Sequence, residues 1–177
     1  EELAAHPEWR VFDCRHDLKN TEYGRQAYAR GHIPGALFLH LDEDLSGATT
    51  GGNGRHPLPA IEDFARRMSE CGVDASTQVV AYDNEGGIFA ARLWWLLRWL
   101  GHERVAVLDG GLAGWKRGKR ALEEQVPVVA PRRFVPGPQD LAVDVGRVLA
   151  DLGSQRMLIL DARSAERFRG ENETLDP

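Results

Sequence analysis

Asp83, Asn84, Glu85, Gly86 and Gly87 gather the chemistry-bearing groups of this chain into one loop. They follow Val79-Val80-Ala81-Tyr82, a short run of strand formers. They precede residues 88–100, which are apolar nearly all round, with Arg92 and Arg98 the only charges. Strand, tight loop and buried helix are the expected order. The two glycines give the loop access to backbone with φ > 0. Amides of such a loop, continued by a helix N-terminus, converge on a point and form an anion cradle. Asp83, the first loop residue, points into it. Its carboxylate can serve as a reacting group, or as a plain N-cap acceptor for those amides.

Two thiols are the other candidate nucleophiles. Cys14 follows Arg10-Val11-Phe12-Asp13, a strand end, and Cys71 closes a helix whose apolar face is Ile61, Phe64, Ala65 and Met68. Neither stands in a loop before a helix, where a thiolate would be stabilised, so both are expected to be buried and inert. Two cysteines build neither a disulfide framework nor a metal site, and no metal and no cofactor is expected. A reducing, cytoplasmic setting follows. The net charge of −5 gives no support for a nucleic-acid partner. The basic run at 116–120 reads as the solvated end of a helix. No apolar run reaches membrane-spanning length, so no membrane partner is expected. The chain starts at Glu1 without a Met, and the native N-terminus is expected to lie upstream.

The positioning elements follow from the pattern. The chain has 177 residues, 42% hydrophobic and 28% charged, as in a globular protein. Residues 1–9 read as the end of a helix, 10–13 as a strand, 20–30 as a helix and 36–39 as a strand. Between strand and helix, 42–59 is a long glycine-bearing loop of the kind that often carries function. After the helix at 61–68 come the strand at 79–82, the helix at 88–100 closed by Gly101, and a strand at 105–108. Gly110-Gly111 then turns the chain into a helix carrying Trp115. This βαβ succession implies parallel strands joined by right-handed crossovers, with the site outside their carboxyl ends. Residues 121–140 hold four of the nine prolines and read as an extended linker. A short helix at 145–152 and a strand at 157–160 follow.

Val11-Phe12-Asp13-Cys14-Arg15 and Ile159-Leu160-Asp161-Ala162-Arg163 share one pattern one domain length apart. The expectation is a duplicated α/β fold: a first domain over residues 1–125, a proline-rich linker over 126–142, and the beginning of a second copy over 143–177 that is not finished. That last piece has little apolar surface to offset its ordering entropy, about 1–2 kcal/mol per residue for backbone alone. It should be mobile unless it docks on the first domain or, by self-association, on a second copy of the chain.

Gly31-His32-Ile33-Pro34-Gly35-Ala36, the Tyr82-Asp83 loop with Ala91-Arg92-Leu93-Trp94-Trp95, and Leu108-Asp109-Gly110-Gly111 with Trp115 resemble the rhodanese family. The nearest resemblance is to its tandem-domain thiosulfate and 3-mercaptopyruvate sulfurtransferases. This implies a central, mostly parallel sheet flanked by helices in each domain. It also implies transfer of a sulfane sulfur from a small anionic donor to a thiophilic acceptor such as cyanide or a thiol, through a cysteine in the second domain's loop. In such proteins the first domain carries Asp where that cysteine would be, and Asp83 fits, which favours its N-cap reading and a degenerate loop over residues 83–87. The resemblance further implies supporting roles for Asp42 and His56, which reach the site between domains, and a donor-binding role for Arg167. His32 reads instead as a turn residue bonding locally. A non-catalytic rhodanese-like binding or regulatory module is the competing function.

Overall fold

Four apolar runs pair into one sheet in the computed structural model, which describes residues 6, 8–154 and 156–172. The strands are β1 (Arg10–Asp13), β2 (Ala36–Phe38), β3 (Val79–Tyr82) and β4 (Val105–Val107), in the order β2-β1-β3-β4 and all parallel. Every residue of β3 is buried, the signature of a parallel strand covered on both faces. Alternate residues of β1 feed opposite cores. Phe12 joins Leu39, Phe64, Met68, Leu93, Leu96 and Leu97 on one face, and Val11 joins Ile33, Ala36, Tyr82 and Leu112 on the other. The helices are α1 (Tyr23–Ala29), α2 (Ile61–Glu70), α3 (Ala90–Trp99) and α4 (Gly111–Arg117), followed by α5 (Val145–Asp151) and α6 (Ala165–Phe168).

Helix α2 buries Phe64, Ala65 and Met68, one 3.6-residue stripe, and places Glu62 and Asp63 in its first turn, where the helix dipole favours anions. Helix α3 is shorter and less covered than its composition suggests. It starts at Ala90, Ile88 is 69% exposed, and Ala90, Leu93, Leu96 and Leu97 are the side chains it buries in the core against the strands. Trp95 and Trp99 stack at the core margin with ring centroids 5.8 Å apart.

In register, Asp13 lies beside Phe38 on one side and Tyr82 on the other. The loops leaving β1, β2 and β3 therefore start side by side at the carboxyl edge of the sheet. Behind them sits a buried network. The Arg15 guanidinium grips Asp13 with Nε 3.0 and 2.9 Å from its two oxygens and Nη2 2.6 Å from Oδ2. Nη2 also donates to Gly31 O, and the Tyr82 hydroxyl donates to Asp13 Oδ2 at 2.6 Å. Burial, with Asp13 beside it, pushes the Tyr82 phenol pKa far up, so it stays a donor.

Residues 126–142 form neither helix nor strand, yet they are not a free tether. Phe134 is buried in the core and donates its N–H to Ser69 Oγ. Gly137 and Gln139 donate N–H bonds of 2.8 and 2.7 Å to Leu100 O and Trp99 O, capping the carbonyl end of α3.

The strand expected at 157–160 does not form. Leu158 and Leu160 are 84% and 80% exposed, and the segment pairs with no strand among the described residues. A strand exists only through its ladder, so an apolar run without a neighbour stays irregular. The two helices around it do form, each with a capping side chain. Asp144 accepts from Arg147 N at 2.8 Å and Ser164 accepts from Arg167 N at 3.4 Å. The helix end expected at residues 1–9 lies mostly outside the described residues, as do residues 155 and 173–177.

Candidate functional site

The loop after β3 is folded around its own carboxylate. Asp83 Oδ1 accepts from Glu85 N at 2.9 Å and Gly87 N at 2.8 Å, and Oδ2 accepts from Phe89 N at 2.8 Å and Ala90 N at 2.9 Å. Gly86 and Gly87 lie at φ 75° and 98°, which turns the amides inward. The cradle of loop amides and helix N-terminus thus holds the anion supplied by its own first residue. The Asp83 carbonyl is fixed from the other side by Leu112 N at 2.9 Å. A Cβ on Gly111 would stand 2.5 Å from that carbonyl oxygen, so the approach requires glycine there. Asn84 donates to the Tyr23 hydroxyl at 3.1 Å, and Glu85 is exposed.

Beside the cradle, the loops from β1 and β2 bring three histidines and a carboxylate together. His56 Nε2 lies 3.0 Å from Asp42 Oδ1, and His16 Nε2 lies 4.0 Å from Asp42 Oδ2. His16 packs edge-on to Phe89, with ring centroids 5.3 Å apart, and so touches the cradle as well. His40 holds the loop: its Nε2 bonds Thr21 O at 3.0 Å, and its Nδ1 faces the amides of Asp42 and Glu43. Arg92 reaches from α3 to the carbonyls of Leu45, His56 and Pro57 at 3.2, 3.1 and 2.9 Å. One guanidinium thereby pins both ends of the long loop, and it sets where His56 stands.

The structure joins Asp42 to His56 and places Arg167 elsewhere, on exposed α6, where its charge helps hold the Asp161 carboxyl down. The main cause of that shift, to about 2, is the Arg163 guanidinium bonded to Asp161. His16, His40 and Arg92 escaped the sequence reading as site residues. Arg92 carried the one available signal, a charge on an otherwise apolar helix. His32 bonds beyond its own turn: Nδ1 faces Tyr28 O at 2.9 Å and Nε2 faces Gln125 O at 3.2 Å.

Both cysteines are buried and free. Burial pushes the Cys71 thiol up to about 11, and burial with Asp13 nearby pushes the Cys14 thiol well above its ordinary value, so neither supplies thiolate near neutrality. Burial also lowers the pKa of His16, His56 and His102, against the pull of Asp42 on the first two. Lowered folded-state values mean that the unfolded chain binds protons first. Stability is then full above the unfolded value of about 6.5 and is lost as pH falls through the lower folded values. Urea unfolding should show stability declining from pH 7 towards pH 5, with a shallower decline in His16→Gln. A flat profile over that range would contradict the burial argument.

The parallel sheet flanked by helices agrees with the family comparison. Residues 1–118 match the rhodanese-like domain, and the chain belongs to that family. It is 43% identical over 183 residues to the "probable 3-mercaptopyruvate sulfurtransferase" of Pseudomonas aeruginosa, covering 100% of this chain and 64% of that one. It is 39% identical over 176 residues to the 3-mercaptopyruvate sulfurtransferase of Escherichia coli, covering 96% of this chain and 61% of the relative. Among solved structures, it is similar to SseA from Escherichia coli, a 3-mercaptopyruvate sulfotransferase with the rhodanese fold. The TM-score is 0.83 at 38% identity, over 96% of this chain and 66% of that one. The chain therefore spans about three fifths to two thirds of the length of these relatives.

Proposed function

We propose that this chain is the non-catalytic first domain, with the opening of a second, of a sulfurtransferase that moves a sulfane sulfur from thiosulfate or 3-mercaptopyruvate to cyanide or a thiol. The domain limits are residues 1–125, 126–142 and 143–177, and the setting is cytoplasmic. Among the described residues, no helix is long and apolar enough to cross a membrane. The observation that carries this reading is the amide cradle filled by Asp83, in a chain so similar to 3-mercaptopyruvate sulfurtransferases. Four converging N–H groups at a helix N-terminus would lower a thiol pKa and steady a persulfide anion, and a carboxylate takes the same stabilisation without offering a sulfur nucleophile. The persulfide-bearing cysteine therefore belongs to a cradle of this kind outside residues 1–177.

Within this reading, Asp42 and His56 support proton movement at the site between domains. The 3.0 Å contact orients the imidazole, and burial keeps it neutral and able to accept a proton. Arg167 anchors the donor anion, since its fork can bond two oxygens at once. The 177-residue chain should give no turnover of thiosulfate or 3-mercaptopyruvate with cyanide above the uncatalysed rate. In a longer protein that does turn over, His56→Asn should lower kcat by about 100-fold, the lower range for a lost acid–base group. Turnover by the 177-residue chain, abolished by blocking Cys14 or Cys71, would overturn the assignment.

A further inference from the structure

We propose that His16, Asp42 and His56 form a binding site for a divalent transition metal, with Zn2+ the best match. Each offers one ligand atom, and the three atoms lie within 4.8 Å of one another. The two Asp42 oxygens face different imidazoles, at 3.0 Å from His56 and 4.0 Å from His16. Zinc at about 2.0–2.1 Å from each donor needs them roughly 3.3 Å apart. The required closure is small and falls on Asp42 and His56, which are half-buried and able to turn, while His16 is fixed by packing.

The second observation is independent of that spacing. His16 is 2% exposed, and neither of its ring nitrogens has a hydrogen-bond partner among the described residues. Buried polar atoms are nearly always paired, and an unpaired buried imidazole aimed at a carboxylate is what a ligand residue looks like before its metal. Two imidazoles and one carboxylate suit zinc, copper or nickel rather than magnesium or calcium, which seek oxygen. The exposed side of Asp42 leaves a coordination position for water, the open three-ligand arrangement. His40 is no fourth ligand, because both its nitrogens already face backbone groups. Arg55 and Arg92 lie near enough to disfavour extra positive charge at His56, which limits the affinity. No sequence motif announces the site. The inference does not depend on the sulfurtransferase reading, although a metal here would compete with a proton for the lone pair of His56.

The test titrates ZnCl2 into the 177-residue chain by calorimetry, and CoCl2 in parallel with visible absorption reporting nitrogen–oxygen coordination. Binding of one Zn2+ per chain is expected, weakened at least about tenfold in His16→Asn, the loss that even a ligand's supporting partner can cause. His6→Gln, which alters an exposed imidazole beside Glu8, should leave binding unchanged. Should His16→Asn fail to fold, the wild-type histidine 15N resonances decide: Zn2+ must shift those of His16 and His56 together. No saturable binding, binding untouched by His16→Asn, or zinc-induced shifts at other histidines only would each overturn the site.

Discussion

Asp83→Ala should lower the stability of this chain by about 3–4 kcal/mol, a fall in Tm of roughly 6–16 °C for a protein of this size. The reason is the number of donors left behind. Four backbone N–H groups converge on one carboxylate, and those of Phe89 and Ala90 are buried beyond the reach of water. An ordinary N-cap lost to Ala costs about 1 kcal/mol because one donor is orphaned at a wet helix end. Here the charged acceptor serves four donors, although the contributions do not add fully, since Glu85 and Gly87 can turn to solvent. Asp83→Asn should be nearly as damaging, because its NH2 group would face two amide donors. Glu85→Ala, at an exposed loop position, is the control and should change nothing measurable. Urea unfolding of the three variants reads the result. A loss below about 1 kcal/mol for Asp83→Ala would mean that the loop is held by something other than its carboxylate.

The second large effect is expected behind the loop. Arg15→Met should cost about 3–5 kcal/mol, because it leaves a fully buried carboxylate with its cation removed. The Tyr82 hydroxyl and the Arg15 amide still donate to Asp13, but neither neutralises it. Asp13→Asn combined with Arg15→Met should be less harmful than the sum of the single changes, since the stranded charge is then gone. Asp161 and Arg163 supply a built-in comparison. Nε lies 3.0 and 3.1 Å from the two oxygens and Nη2 lies 2.7 Å from Oδ2, so the pair repeats the geometry of Asp13 and Arg15 almost bond for bond. It does so in solvent, where Coulomb attraction is screened and side-chain ordering offsets the gain. Arg163→Met should therefore leave the unfolding midpoint where it was. Equal losses at the two arginines would show that contact geometry, rather than burial, sets the strength of these pairs.

Much of the first sheet was legible because its signals are local. The apolar run at Val79–Tyr82 and the glycines after it dictate strand and loop, and the Asp83 cradle follows from the way such a loop must point its amides. The run at 157–160 is as apolar as β3 and failed as a strand, because apolar pattern states what a segment would bury and not whether a neighbour exists to bury it. The histidine cluster was illegible for a related reason. His16, Asp42 and His56 sit on loops leaving two strands, and only strand order and register bring those loops together. Arg92 read as an exception on a buried helix, yet its role is fixed by three carbonyls whose positions depend on the path of a long irregular loop.

The strand order has a consequence for how the chain is made. β1 is synthesised first but lies inside the sheet, between β2 and β3. Its pairing with β2 can begin early, but the Tyr82 hydroxyl that bonds Asp13 is 69 residues further along. At about 5–20 residues per second, the ribosome needs roughly 3–14 s to add that span. During this interval β1 has one edge open and the Asp13 carboxylate lacks its phenolic donor. The nascent chain must therefore wait, with its central strand half-paired, for the strand that completes it. Contacts of such sequence separation also slow refolding of the full chain relative to a helical bundle of the same length.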